Sequence, residues 1–213
     1  MNPHAKTSAL SNVIRKPAAL LGALALVLSA CAAEETAPLE PPLAGSSIGG
    51  SFELVDSAGE TVRWDDFTGQ YRVVYFGFAY CPAICPTDMQ RIARGMAALE
   101  ESDPNLAAQV QPIFITVDPA RDTPQVVGEF TSAFSDDIMG LTGTQEQVDR
   151  AIDEFKVTAY RGEDTPDGGY LMEHSRIVYL FGPQGEPIAT LPTDQPGREG
   201  AETFAAEIRK WAN

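Results

Sequence analysis

A short apolar run at residues 73–76 is the feature that most constrains the fold. Its four successive side chains, Val-Val-Tyr-Phe, are buried only if both faces of the strand they form are covered. Similar runs recur at residues 113–117 and 177–181, and apolar residues at helical spacing occupy residues 86–100. Buried strands alternating with helices predict an α/β sheet with helices on both faces.

Turn and capping patterns extend this prediction along the chain. Thr123 followed by Pro124 predicts a helix start, and Thr144 with Gln147 predicts a capping box for the next helix. Residues 52–64 predict an N-terminal β-hairpin, and the chain ends with a second hairpin followed by a helix. A terminal hairpin and helix beside a βαβ unit are typical of the thioredoxin-like fold, here with an extra N-terminal β-hairpin.

The N-terminus predicts an export signal. Residues 1–30 contain three basic residues, no acidic residue, and an apolar stretch that is too short for a membrane span. The stretch ends in Leu-Ser-Ala followed by Cys31, which resembles the lipobox of bacterial lipoproteins. In such proteins the signal is removed before the cysteine, which is then lipidated. The alternative is a plain secretory signal in which Cys31 has no role.

The rest of the chain divides into a tether and a folded domain. Residues 31–50 are rich in Pro, Gly and Ser without apolar periodicity, which predicts a lipidated cysteine followed by a flexible tether. The folded domain is expected at residues 51–213. Such a chain would lie at the periplasmic face of a bacterial membrane. Its net charge of −15 argues against nucleic acid as a partner.

After removal of the signal and lipidation of Cys31, the chain keeps two thiols, Cys81 and Cys85, and one imidazole, His174. The thiols follow the first buried strand, and sites in open α/β sheets lie at the carboxyl ends of strands. Pro86 suits the first helical position, so Cys85 is expected at the N-cap, where the helix dipole favours a thiolate. A structural disulfide is the alternative, but so small a loop gains little stability from one.

Two thiolates and one imidazole form a three-coordinate sulfur and nitrogen set. His174 is expected at the entrance to the third buried strand. Soft sulfur selects Cu(I), and imidazole also accommodates Cu(II). A structural zinc site normally has four ligands, so zinc is disfavoured unless a carboxylate completes the site.

The same thiols also allow redox chemistry. In a thiol-disulfide oxidoreductase, Cys81 would attack a partner's disulfide and Cys85 would resolve the mixed disulfide. A peroxiredoxin-like peroxidase or redox sensor is a further alternative. Whether the protein is a catalyst or a carrier stays open at this point.

Three segments together resemble the SCO/SenC family. They are CPAICP followed by TDM at residues 81–89, TVDPARDTP at residues 116–124, and YLMEHS at residues 170–175. These are similar to the family's CxxxCP, VDPxxDTP and (V/I)DHS segments and lie in the family's order. The sequence departs from the family's usual pattern at Ala83 and Glu173, where Asp is common, and neither departure removes a ligand.

The resemblance implies a thioredoxin-like copper protein that assists assembly of the CuA centre of cytochrome c oxidase. It implies Cys81, Cys85 and His174 as the copper ligands. The implied partners are the CuA-bearing subunit of the oxidase and possibly another copper donor. Asp118 is either a carboxylate close to the copper ligands or a turn residue, and Asp122 is expected to serve a turn or helix cap.

Overall fold

A five-stranded mixed sheet forms the centre of the fold in the computed structural model, which describes residues 39–166 and 168–212. Two further pairs of strands lie outside this sheet. In chain order the elements are β1 (Glu53–Val55), β2 (Thr61–Arg63), β3 (Tyr71–Gly77), α1 (Ile84–Ser102), α2 (Pro104–Ala107), β4 (Val110–Thr116), α3 (Pro124–Ser132), β5 (Met139–Leu141), α4 (Gln145–Glu154), β6 (Ala159–Asp164), β7 (Tyr170–His174), β8 (Val178–Phe181), β9 (Pro187–Leu191) and α5 (Gly197–Trp211).

The strand order of the central sheet is β5-β4-β3-β8-β9. β3 runs parallel to β4 and antiparallel to β8, and all seven residues of β3 are buried. The strands β1 and β2 form the extra N-terminal hairpin. This arrangement confirms the predicted α/β, thioredoxin-like fold.

The two faces of β3 meet different elements because successive side chains of a strand point in opposite directions. On one face, the Tyr75 hydroxyl bonds to Asp88 of α1 at 3.1 Å. On the other face, the Phe76 ring lies 5.3 Å from the ring of Phe155, which ends α4. Helices therefore cover both faces, as the apolar run predicts.

The predicted caps of α3 and α4 are confirmed, but the start of α1 is not. Thr123 accepts a hydrogen bond from the Val126 amide, and Thr144 forms a capping box with Gln147. The N-cap of α1 is Ala83, so the expectation that Cys85 caps this helix was wrong. Pro86 fits within the first helical turn because amide groups there lack helical acceptors.

The hairpin β6–β7 was missed by the sequence analysis. Its strands pair antiparallel, with Ala159 opposite His174. Four of the six residues of β6 are exposed, so the strand has no apolar alternation to reveal it. His174 therefore ends a strand of this hairpin, and the expectation that it opens a buried strand was wrong.

The compact unit that contains the sheet begins at Glu40. The Leu43 amide bonds to the Ile188 carbonyl at 3.0 Å, and the Gly49 amide bonds to the Glu154 carbonyl at 2.9 Å. Leu43 also packs on the core. Part of the segment predicted as a tether thus lies on the domain, because it carries apolar side chains that the sheet can bury.

The predicted signal at residues 1–30 and the lipidation site Cys31 lie outside the described residues. In the part of the chain that is described, no helix combines the length and the apolar character needed to cross a membrane.

A close contact between α1 and α5 depends on Gly95. A Cβ atom placed on Gly95 would overlap the ring of Phe204, which is fully buried. The absence of a side chain at residue 95 therefore sets how closely the two helices approach.

We expect Gly95→Ala to lower the free energy of unfolding by about 1–3 kcal/mol, since an added methyl group overpacks this contact. Phe204→Ala alone should cost about 3–5 kcal/mol. The double variant should lose less than the sum of the two. Removal of the ring ends its overlap with the added methyl group, and that methyl group fills part of the cavity left by the ring. Urea unfolding of the three variants measures this, and strictly additive losses would contradict the proposed contact.

Candidate metal centre

The two thiols lie in different environments at the start of α1. Cys81 is half-buried in the loop after β3, whereas Cys85 is fully buried in the first turn of the helix. Both are free cysteines, and the Cys85 amide donates to Cys81 Sγ at 3.3 Å. The half-buried sulfur of Cys81 is therefore the more accessible of the two, while the sulfur of Cys85 is enclosed by the protein.

Because of this difference in position, the two thiols have different pKa values. The Cys85 thiol donates a hydrogen bond to Cys81, and with amide groups of the first helical turn this lowers the pKa of Cys81 to about 5. The same bond, together with burial, raises the pKa of Cys85. The expectation that Cys85 would be the thiolate was wrong, because the helix start stabilises charge on Cys81 instead.

His174 directs its ring toward the buried thiol. Its Nε2 atom lies 3.3 Å from Cys85 Sγ, and its Nδ1 atom lies 3.1 Å from the Ser175 carbonyl oxygen. A carbonyl oxygen only accepts, so Nδ1 is the donor in this bond, which leaves Nε2 as the ring atom that can offer a lone pair to a metal ion. The rings of Tyr75 and Phe78 lie edge-on to the imidazole, with ring centroids 6.2 and 5.9 Å from its own.

Cys85 is the point at which the three sequence-predicted ligands meet. It contacts Cys81 on its own helix end and His174 from the hairpin 89 residues away. Within residues 39–166 and 168–212, no three His, Cys, Asp or Glu side chains already form a closed metal cage. The structure places the His174 imidazole nitrogen against the Cys85 sulfur, with the Cys81 sulfur against the Cys85 amide.

Asp118 holds the hairpin that carries His174. The side chain is 3% exposed and accepts hydrogen bonds from Arg121 Nε at 2.5 Å and from the Tyr170 hydroxyl at 2.8 Å. The Arg121 guanidinium stacks on the Tyr170 ring at 3.7 Å and also donates to the Tyr170 carbonyl. The Asp118 side chain therefore bonds to Tyr170 at the start of β7 directly and is also linked to it through Arg121. Among the hydrogen bonds of the described residues, none joins the Asp118 side chain to Cys81, Cys85 or His174.

Asp122 supports the loop that carries the cysteines. Its buried carboxylate accepts from the Ala79 amide at 2.9 Å and from the Thr116 hydroxyl at 2.6 Å. Burial raises the pKa of this carboxyl group. The helix cap is made by the neighbouring Thr123, so that part of the prediction for Asp122 was wrong. The turn is confirmed, because the Asp122 amide donates to the Asp118 carbonyl at 2.9 Å.

Asp88 and Arg176 are two residues near the ligands that the sequence analysis did not single out. Asp88 lies three positions after Cys85 and is fully buried, and Arg176 lies two positions after His174. The two side chains form an ion pair. A charged residue inside an otherwise apolar helix face was the available signal, because a buried carboxylate requires a partner.

Comparisons with known proteins show what the chain is similar to. A family model described as SCO1/SenC matches residues 40–213. The mitochondrial protein SCO2 of Saccharomyces cerevisiae is 36% identical over 166 residues, which cover 78% of this chain and 54% of the yeast protein. The chain thus spans about half the length of that relative. An SCO2-like protein of Rickettsia prowazekii is 36% identical over 175 residues, which cover 78% of this chain and 83% of the relative.

A solved structure with the same fold carries a metal. Bradyrhizobium japonicum ScoI, solved with copper bound, superposes with a TM-score of 0.68 at 30% sequence identity. The match covers 77% of this chain and 99% of the other.

The acidities of the two thiols can be tested by alkylation. We expect iodoacetamide to modify Cys81 of the metal-free chain with a rate midpoint at pH about 5, because the thiolate is the reactive form. In Cys85→Ala the main hydrogen-bond donor is lost, so the midpoint should rise toward about 8.5, the value of an ordinary thiol. Mass spectrometry of the peptide containing Cys81 measures both rates. A midpoint near 8.5 in the unaltered chain would contradict the proposed hydrogen bond.

Proposed function

Since the chain belongs to the SCO1/SenC family, we propose that it is a copper chaperone for the CuA centre of cytochrome c oxidase. Copper is its cargo, bound by the sulfur atoms of Cys81 and Cys85 and by Nε2 of His174.

The contact of 3.3 Å between Cys85 Sγ and His174 Nε2 is the observation that carries the proposal. It joins a thiol and an imidazole lone pair from distant parts of the chain, with a second thiol beside them. Thiolates select Cu(I), and imidazole also suits Cu(II). Since the sequence after residue 31 holds no other Cys or His, a Cys/His zinc site of four ligands cannot form from this chain alone.

The position of Cys81 suits transfer of the metal to a partner. Its sulfur is accessible and is already a thiolate near neutral pH, so an incoming thiolate can exchange with it on a three-coordinate ion. The partner would be the CuA-bearing subunit of the oxidase, and another copper donor would load the site. The acidic chain favours partners with a basic docking face.

The proposed location rests on the N-terminal sequence. Lipidation at Cys31 after export would anchor the domain at the periplasmic face of a bacterial membrane, where a membrane-bound oxidase is within reach. Detection of a diacylglycerol-modified N-terminal Cys31 by mass spectrometry would support this location.

A second candidate function is reduction of the partner's cysteines before the metal arrives. The lowered pKa of the accessible Cys81 favours it. The Cys81 thiolate would attack a partner disulfide and expel one partner thiolate. Cys85 would then attack Cys81 Sγ of the mixed disulfide, so that a Cys81–Cys85 disulfide forms and the partner leaves as a dithiol.

We expect anaerobic titration of the purified chain to give one bound equivalent of Cu(I) and, separately, of Cu(II). The Cu(II) form should show a thiolate-to-copper charge-transfer band, since sulfur would be a direct ligand. Absorption and EPR spectroscopy measure the Cu(II) form, and copper analysis after gel filtration measures the EPR-silent Cu(I) form. Absence of saturable copper binding would rule out the chaperone proposal.

Substitution of the imidazole separates the two candidate functions. His174→Ala should abolish Cu(II) binding while leaving reduction of a disulfide substrate unchanged, because exchange needs only the two thiols. Met172→Leu is the matched control, since this side chain lies two residues away on the same strand and should leave both properties intact. Unchanged copper binding in His174→Ala would contradict the proposed ligand set.

A further inference from the structure

The ion pair between Asp88 and Arg176 connects the two chain segments that carry Cys85 and His174. We propose that Asp88 and Arg176 are positioning residues, which fix the approach of the His174 imidazole to the Cys85 sulfur. The inference rests on the proposed copper site for its functional meaning, but its geometry can be tested without metal.

The ion pair is bidentate, with two hydrogen bonds between the guanidinium and the carboxylate. Arg176 Nε donates to Asp88 Oδ2 at 2.9 Å, and Arg176 Nη2 donates to Asp88 Oδ1 at 2.8 Å. The Tyr75 hydroxyl of β3 donates to the same carboxylate at 3.1 Å. Two parallel bonds set both the distance and the orientation of the guanidinium, which a single contact would not do.

The placement of the pair along the chain transmits this constraint to the ligands. Asp88 follows Cys85 by three residues on α1, so the two side chains lie on the same helix face. Arg176 follows His174 by two residues, and His174 ends β7. The Cys85–His174 contact and the Asp88–Arg176 ion pair thus join the same two segments, the start of α1 and the chain at the end of β7.

Few other hydrogen bonds of the described residues hold this segment against α1. The hairpin β6–β7 forms its own two-stranded sheet and shares no ladder with the central sheet in the described structure. Ser175 bonds to Thr158 at 2.9 Å, but Thr158 lies at the foot of the same hairpin. Among the hydrogen bonds described for residues 175–177, the two that reach α1 both come from Arg176.

The ion pair with Arg176 also explains why the Asp88 carboxylate is buried near the thiols. Asp88 is 0% exposed in the structure, and a buried carboxylate is costly unless it is paired. A second arginine, Arg91, lies 3.9 Å from Asp88 Oδ1 but belongs to α1 itself. Arg91 adds positive charge near the carboxylate without linking it to the segment of His174, which makes it a matched control.

The test uses the full chain and three single variants: Arg176→Met, Arg176→Lys and Arg91→Met. Arg176→Met should weaken Cu(II) binding about 10–100-fold and reduce the thiolate charge-transfer band, as loss of a group that orients a ligand does. Arg176→Lys should recover only part of this loss, because an ammonium group cannot form the paired bonds. Arg91→Met should bind copper as the unaltered chain does.

A measurement on the metal-free chain makes the result independent of copper. The imidazole proton resonances of His174, assigned with His174→Ala, are shifted by the adjacent rings of Tyr75 and Phe78. In Arg176→Met they should move toward the values of a solvent-exposed histidine, and in Arg91→Met they should stay. If the chain bound no copper at all, the chaperone proposal would fall while these resonances would still decide the positioning.

A double variant covers the case in which Arg176→Met fails to fold. Asp88→Leu with Arg176→Met removes both charges, so no unpaired carboxylate is left inside the protein. It should fold by circular dichroism and show the same displaced His174 resonances. Unaltered copper affinity and resonances in a folded Arg176 variant would overturn the proposal, as would an equal effect of Arg91→Met.

Discussion

The contact between Cys85 Sγ and His174 Nε2 organises the site, because it joins segments that are 89 residues apart in the chain. Each side of the contact has its own support. Asp122 fixes the start of the loop that leads to the cysteines, and Asp118 fixes the start of the strand that leads to His174. Buried carboxylates therefore act here as anchors for backbone segments, at a distance from the sulfur and nitrogen atoms themselves.

The inequality of the two thiols allows one site to serve either candidate chemistry. An accessible thiolate is what both metal exchange and disulfide attack require, and Cys81 provides it. A buried, protonated thiol next to it stabilises that charge and is available as a second ligand or as the resolving group. The proposed carrier uses His174 and the proposed reductase does not, so the imidazole is the group that distinguishes the two candidate functions.

Much of the fold could be predicted because local patterns and tertiary structure agree. The buried run around residue 75 and the caps at Thr123 and Thr144 appear where the sequence places them. The family resemblance is confirmed by the match over residues 40–213. The hairpin β6–β7 could not be found from periodicity, since both of its faces are largely accessible. The roles of Asp88 and Asp122 depend on partners that are distant in sequence, which local patterns do not report.

The separation of the hairpin β6–β7 from the central sheet has a consequence for dynamics. Opening the hairpin breaks no ladder of the central sheet in the described structure, so it disrupts less of the fold than opening β3 would. Its amide hydrogens should exchange well before those of β3. Because His174 sits at its end, the lifetime of the closed hairpin limits how long the imidazole stays beside the thiols. In the proposed copper carrier, release of the metal can then proceed by a local opening, while the central sheet remains folded.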